Sequence, residues 1–253
     1  MNTLRRLVPL AFTAALGLGA AANAAGTVQL THPPKLTSGG AALPKIAAPV
    51  TPATAKINAA LARIDARWIK ASRDCLGHAK PQDAEMTRSV ETPMLGPRYL
   101  TIVAHDSASC AEAAYPQAWT LALVYDLDTG RPVNWEKLLG TLVDSAVIDS
   151  AGDGTPIGVI TSNTLHDLYV KAVAPRQDPG MRVQCANILE DETMQFQVWP
   201  DAAKGGLVLQ PSSLPHAVAA CGDAAVIPLA KLRRLGVDAG LLDAIAAGGP
   251  AAR

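Results

Sequence analysis

Four cysteines, Cys75, Cys110, Cys185 and Cys221, constrain this chain more than any other residues in it. What they can do depends on the compartment, and the N-terminus speaks to that. In "MNTLRRLVPLAFTAALGLGAAANA", Arg5 and Arg6 precede an apolar run over residues 7–22, and "ANA" offers a small-residue cleavage site. The run is about 16 residues, short of the roughly 20 that span a bilayer as a helix. Residues 1–24 therefore read as an export signal cleaved after Ala24, leaving no integral membrane anchor and a periplasmic or secreted chain. In such a chain an even cysteine count reads as disulfides. Three pairings are open. Cys75–Cys110 and Cys185–Cys221 are preferred, because each closes a local loop of about 36 residues, worth roughly 4 kcal/mol in the chain-entropy model. Zinc is disfavoured, since no CxxC and no His at finger spacing is present.

Bracing matters because the core is thin. Half of the residues are hydrophobic, but alanine supplies much of that, and aromatics are only 4%. The processed chain would keep 20 basic and 22 acidic residues. A near-neutral surface gives no electrostatic reason to expect nucleic acid or an anionic membrane as partner.

Residues 25–52 are rich in Pro, Gly and Ala without apolar periodicity and read as a linker, with His32 solvated. Residues 53–253 read as one α+β domain, with sub-modules at 53–115 and 116–248 as an option. Ile57, Leu61, Ile64 and Trp68 recur at helical spacing and predict an amphipathic helix. The period then becomes two: "AEMTRSVETPML" and "PRYLTIVAHDSA" predict paired strands around "LGP" at 95–97. In "AYPQAWTLALVYDLD", Trp119, Leu121, Leu123 and Tyr125 share one strand face and Thr120, Ala122 and Val124 the other. "SAVIDSAGDGTPIG" reads as a loop with a helical fragment. A helix is expected from Ser162 or Asn163 to before Pro175, and "LEDET" at 189–193 as a solvated turn. Strands at "MQFQVW", "GGLVLQ" and "AAVIPL" and two short C-terminal helices complete an antiparallel sheet of hairpins packed by an N-terminal and a middle helix.

The residues that carry chemistry elsewhere are weakly arranged here. A calcium loop counted from Asp126 places Asp128 at position 3, but Gly130 falls at position 5 and Lys137 at 12, where glycine at 6 and a carboxylate at 12 are required. "DSAGDGTP" at 149–156 fails in the same way. A type I turn closed by Gly130 in the left-handed region, as in a three-residue hairpin, is the better reading. His105–Asp106 and His166–Asp167 are sequence neighbours, which diverge on a strand or helix, and no ligand at i+4 supports either. Ser162 with His166 and Ser213 with His216 lack a nucleophile elbow or an SxxK motif. No phosphate-cradling glycine loop is present, so no metal and no cofactor is expected.

"YL" before an apolar strand, "AYP", "VYDLDTGRPVNWEKLL", "LHDLY" and "LPHAVAACGDAAVIPLAKLR" occur in that order. Together they resemble an exported family of unknown function, seen as the extracellular module of a lysozyme-sensing anti-sigma factor and as an accessory domain of a peptidoglycan deacetylase. The resemblance spans residues 54–235. It implies a noncatalytic α+β module recognising a protein or a cell-wall ligand, with His216 at a position often held by tyrosine and structural in role. The chain lacks the transmembrane helix, the sigma-binding region and the deacetylase domain of those proteins.

The expectation is thus an exported, disulfide-braced binding module with Tyr115 and Trp119 as candidate anchors, its partner a protein or peptidoglycan. The alternatives are a cell-envelope hydrolase, which needs His105, Asp106, His166 and His216 to converge, and a structural or assembly factor of the envelope.

Overall fold

Thr51 starts the first helix. Its hydroxyl accepts the Thr54 N–H, while the Thr54 hydroxyl accepts the Thr51 N–H, and Pro52 stands where a missing donor costs nothing. In the computed structural model, which describes residues 27–36, 39–77, 84–110, 115–150, 156–212 and 214–248, this helix, α1, runs from Pro52 to Leu76. The predicted stripe is its buried face: Ile57, Leu61, Ile64 and Trp68. The stretch read as an export signal lies outside the described residues.

The fold is α+β, with antiparallel pairing throughout. A small hairpin pairs β1 (Gln29–Thr31) with β2 (Lys45–Ala48). The central sheet orders β3 (Glu85–Leu95), β4 (Tyr99–Ser109), β5 (Gln117–Asp126) and β6 (Arg131–Pro132) side by side. After the short α2 (Trp135–Leu139) comes the outer sheet, which contains β7 (Ser145–Ser150), β8 (Pro156–Thr161), β9 (Gln195–Asp201), β10 (Gly206–Pro211) and β11 (Ala225–Pro228). Helices α3 (Asn163–Val173) and α4 (Pro179–Leu189) separate β8 from β9, and α5 (Leu229–Arg234) and α6 (Ala239–Ala247) end the fold.

The central sheet is a wall between two cores. Leu100, Ile102, Ala104, Leu121, Leu123 and Tyr125 face α1 and the small hairpin. Val103, Ala122 and Val124, one position out of phase, face the outer sheet and its helices. Period-two alternation with apolar residues on both faces is what a doubly covered strand requires.

Three expectations change. Residues 25–52 do not stay featureless: Val28, Leu43 and Ile46 are buried against α1 and the central sheet. Side chains of α1 hold them. The Asn58 carboxamide accepts the Ile46 N–H at 2.8 Å and donates to its C=O at 2.9 Å, and Asp65 accepts the Leu43 N–H. Of "SAVIDSAGDGTPIG", read as a loop with a helical fragment, Ser145–Ser150 and Pro156–Gly158 are paired in the strands β7 and β8, and residues 151–155 lie outside the described residues. Helix α4 was not expected, because it buries little beyond Cys185 and Leu189 and shows no apolar stripe, only a sound N-cap from Asp178 to the Met181 N–H.

Both disulfides form as paired in the sequence reading, Cys75–Cys110 and Cys185–Cys221. The first ties the last turn of α1 to the end of β4, and the second ties α4 to the 3-10 turn His216–Cys221. Each therefore braces a different core. Replacing Cys185 and Cys221 together with alanine should cost about 2–5 kcal/mol, read by urea unfolding. Peptide mapping without reduction should show Cys75 with Cys110. Four free thiols would refute both the bracing and an oxidising compartment.

Candidate functional site

Cover over the central sheet thins toward the start of β5. Leu121 to Tyr125 are buried, but Gln117, Ala118 and Trp119 are exposed. There α1 and the outer sheet diverge and leave an open cleft of about 620 Å³. One wall is α1, with Ile64, Arg67, Trp68 and Ala71; the other is Gln197 of β9, Gln210 and Pro211 of β10 and Leu214 beyond it. Ala118 to Leu121 of β5 form the floor between them. Of the two sequence candidates, Trp119 lines this cleft at 40% exposure, whereas Tyr115 is 67% exposed and is not among the lining residues.

Beside Trp119 lies an ion cluster. Trp119 is opposite Asp106 in the β4–β5 register, and Asp106 is opposite Arg88 on β3. The guanidinium makes a fork to Asp106, Nε to Oδ1 at 2.6 Å and a terminal nitrogen to Oδ2 at 2.9 Å. Its other terminal nitrogen reaches Asp65 at 3.2 Å, and the guanidinium carbon lies 5.0 Å from the centre of the Trp68 ring. Burial raises the Asp65 carboxyl above its ordinary value, against the pull of the Leu43 N–H and of Arg88. Arg88 and Asp106 are almost fully enclosed and mutually satisfied. Their geometry is that of a brace: both carboxylate oxygens of Asp106 are taken up by the one guanidinium.

The residues that a hydrolase would need do not share partners. His105 points to the opposite face from Asp106, with Nε2 at 3.2 Å from Glu91 and Nδ1 at 3.2 Å from the Thr120 hydroxyl. His166 is buried in the core that contains Phe196, with its ring centre 6.4 Å from that of Phe196. The Ser162 hydroxyl is occupied as the N-cap of α3, accepting the Leu165 N–H. The His216 side chain and Ser213 lie outside the described residues. Among the described residues no three His, Cys, Asp or Glu side chains gather as a metal site.

The Asp126–Gly130 stretch is a turn. The Asp126 carboxylate accepts the N–H groups of Asp128 and Thr129, so one of its oxygens caps the loop internally. Asp126 pairs with Arg131, which makes the loop one residue longer than the expected three, and Gly130 sits at φ +68°.

One residue escaped the sequence reading altogether. Gln197 accepts the Ala122 N–H through Oε1 at 2.8 Å and donates through Nε2 to the Thr120 C=O at 2.6 Å. On β9 it is a polar residue between buried Phe196 and Val198, the pattern of a solvent-facing position. Nothing in the sequence indicated that this face meets another strand's edge.

No protein-family model matches the chain, and no curated protein matches it. Among solved structures, it is similar to a crystal structure of a member of the DUF3298 family from Bacteroides fragilis. That likeness has a TM-score of 0.45 at 10% sequence identity and covers 78% of this chain and 74% of the other.

Proposed function

We propose that the protein is an exported, noncatalytic binding module of the cell envelope that takes a protein of the lysozyme kind, or cell-wall material, in the cleft beside β5. The observation that carries this reading is the pairing of an open cleft with ionisable groups already committed elsewhere. Arg88, Asp106 and Asp65 satisfy one another, and His105 is engaged by Glu91 and Thr120. What the cleft offers a ligand is an amphipathic ring at Trp119, the exposed guanidinium of Arg67 and the amide of Gln210. Such groups recognise, and they do not cleave. Two disulfides and the basic-then-apolar N-terminus support placement outside the cytoplasm. Among the described residues no helix is long and apolar enough to cross a membrane. An envelope assembly factor would use the same surface.

Binding should be measured by calorimetry against lysozyme and by co-sedimentation with purified peptidoglycan. One of the two should bind, and Trp119→Ala should weaken it about 30-fold, the effect of losing a hot spot of about 2 kcal/mol. Binding to neither bait, or release of soluble fragments from peptidoglycan, would overturn the reading.

A further inference from the structure

The edge of β5 is open where the cleft runs along it. On one side β5 pairs with β4 along its whole length. On the other, β6 meets only Tyr125 and Asp126, and the Val133 N–H reaches the Val124 C=O. Among the described residues no strand continues this pairing toward Gln117. The direction of the row is known from Gln197, because its bonds show that the Thr120 C=O and the Ala122 N–H point off the edge. The N–H and C=O of one strand residue point to the same side, and residues two apart share it. The Thr120 N–H and both backbone groups of Ala118 therefore belong to the same outward row.

Gln197 also shows what fits there. A residue of a parallel neighbouring strand donates to one C=O and accepts from the N–H two residues on. The Gln197 carboxamide makes that pair of bonds, standing in for a single backbone residue opposite Leu121. Next along the row come the Thr120 N–H and the Ala118 C=O, of alternating partial charge and without a partner among the described residues, and a chain presenting the same alternation complements them. The edge is also unguarded. Exposed edges are normally blunted with charges, prolines or bulges, yet "QAWTLALV" from Gln117 to Val124 has neither charge nor proline.

We infer that the cleft binds an extended polypeptide segment of a partner protein, which adds to the β5 edge beside Ala118 and Thr120 in continuation of the Gln197 contacts. This rests on the reading of the protein as a binding module and specifies the ligand. Main-chain hydrogen bonds supply the affinity, and alternate side chains of the segment fall to the two walls, toward Trp68 and Arg67 on one side and toward Pro211 and Leu214 on the other. A glycan has no such row of amides to offer.

A phage-displayed library of linear random peptides is selected against the intact, oxidised protein, and enriched peptides are synthesised with and without backbone N-methylation. Methylation at alternate residues should cut affinity at least tenfold in one phase and spare it in the other. Ala118→Pro and Thr120→Pro remove outward N–H groups without touching the β4 ladder, a position where proline is tolerated. Both should abolish peptide binding with circular dichroism unchanged, and peptide should slow amide exchange at Ala118 and Thr120. No enrichment, or enriched peptides indifferent to N-methylation, would overturn the inference, and would do so even if lysozyme or peptidoglycan binds. A concentration-dependent dimer dissolved by Ala118→Pro would give the edge to a second copy of this chain and equally overturn it. Peptide binding without binding to either bait would leave strand addition standing and refute only the choice of partner.

Discussion

Asp106→Ala should destabilise the protein by about 3–5 kcal/mol, the cost of leaving a buried guanidinium without its partner. Arg88 and Asp106 have side-chain exposures of 3% and 2%, so each charge depends on the other rather than on water. Asp65 softens the loss only in part, since it meets a single guanidinium nitrogen and also serves the Leu43 N–H. The same reasoning predicts non-additivity. Removing both charges, as in Arg88→Met with Asp106→Leu, should cost less than removing Asp106 alone, because no orphaned ion remains and the volume is kept. Urea unfolding followed by tryptophan fluorescence reads both, with the denaturant slope as a check that the transition is unchanged. A single variant within about 1 kcal/mol of the parent would place the pair among exposed ion pairs and refute the brace.

Gly130→Ala carries the second large effect. At φ +68° any side chain is strained by about 1–2 kcal/mol, and a Cβ there would collide with the Ala53 carbonyl oxygen and stand 2.9 Å from the Ala53 carbonyl carbon and Cα. These are backbone atoms in the first turn of α1, which cannot swing aside as a side-chain tip can. Either the turn or the capped start of α1 must move, adding about 1–3 kcal/mol of overpacking. Gly205 is the internal control: it closes a similar Asp-capped turn, its φ is +64°, and nothing lies within 4 Å of its Cβ position. Gly205→Ala should therefore show the backbone cost alone. A difference of about 2 kcal/mol between the two variants would appear as roughly 4–8 °C in the thermal midpoint. Equal midpoints would mean that the turn does not touch the helix.

The glycine result shows what the sequence could and could not convey. Gly130 as a left-handed turn residue followed from counting, because the calcium spacing failed and a turn remained. Its contact with Ala53 did not, since nothing local connects residue 130 to residue 53. The same division holds elsewhere. The α1 stripe, the alternation of β4 and β5, the Ser162 cap and the two disulfides are local or nearly local signals, and they were legible. The β1–β2 hairpin was not, because Asn58 and Asp65 of α1 pin its backbone and the strands carry few apolar residues of their own. Helix α4 hid behind its small buried face. At the cleft, Trp119 was a candidate from the sequence, and the structure shows only where it stands, among the lining residues. The walls that make it part of a cleft come from α1, β9 and β10, and Gln197 looked like any polar residue on a half-exposed strand.

β5 has one further consequence, for which changes this chain can tolerate. From Leu121 to Tyr125 its odd-numbered residues fill one core and its even-numbered residues fill the other. Inserting or deleting a single residue in mid-strand would exchange the two sets, moving Leu121, Leu123 and Tyr125 into a space shaped for Ala122 and Val124 and the reverse. No repacking in one core repairs the other. Variation in length among descendants of this chain should therefore collect in the connections and spare β5, while substitutions within β5 should occur in pairs two residues apart.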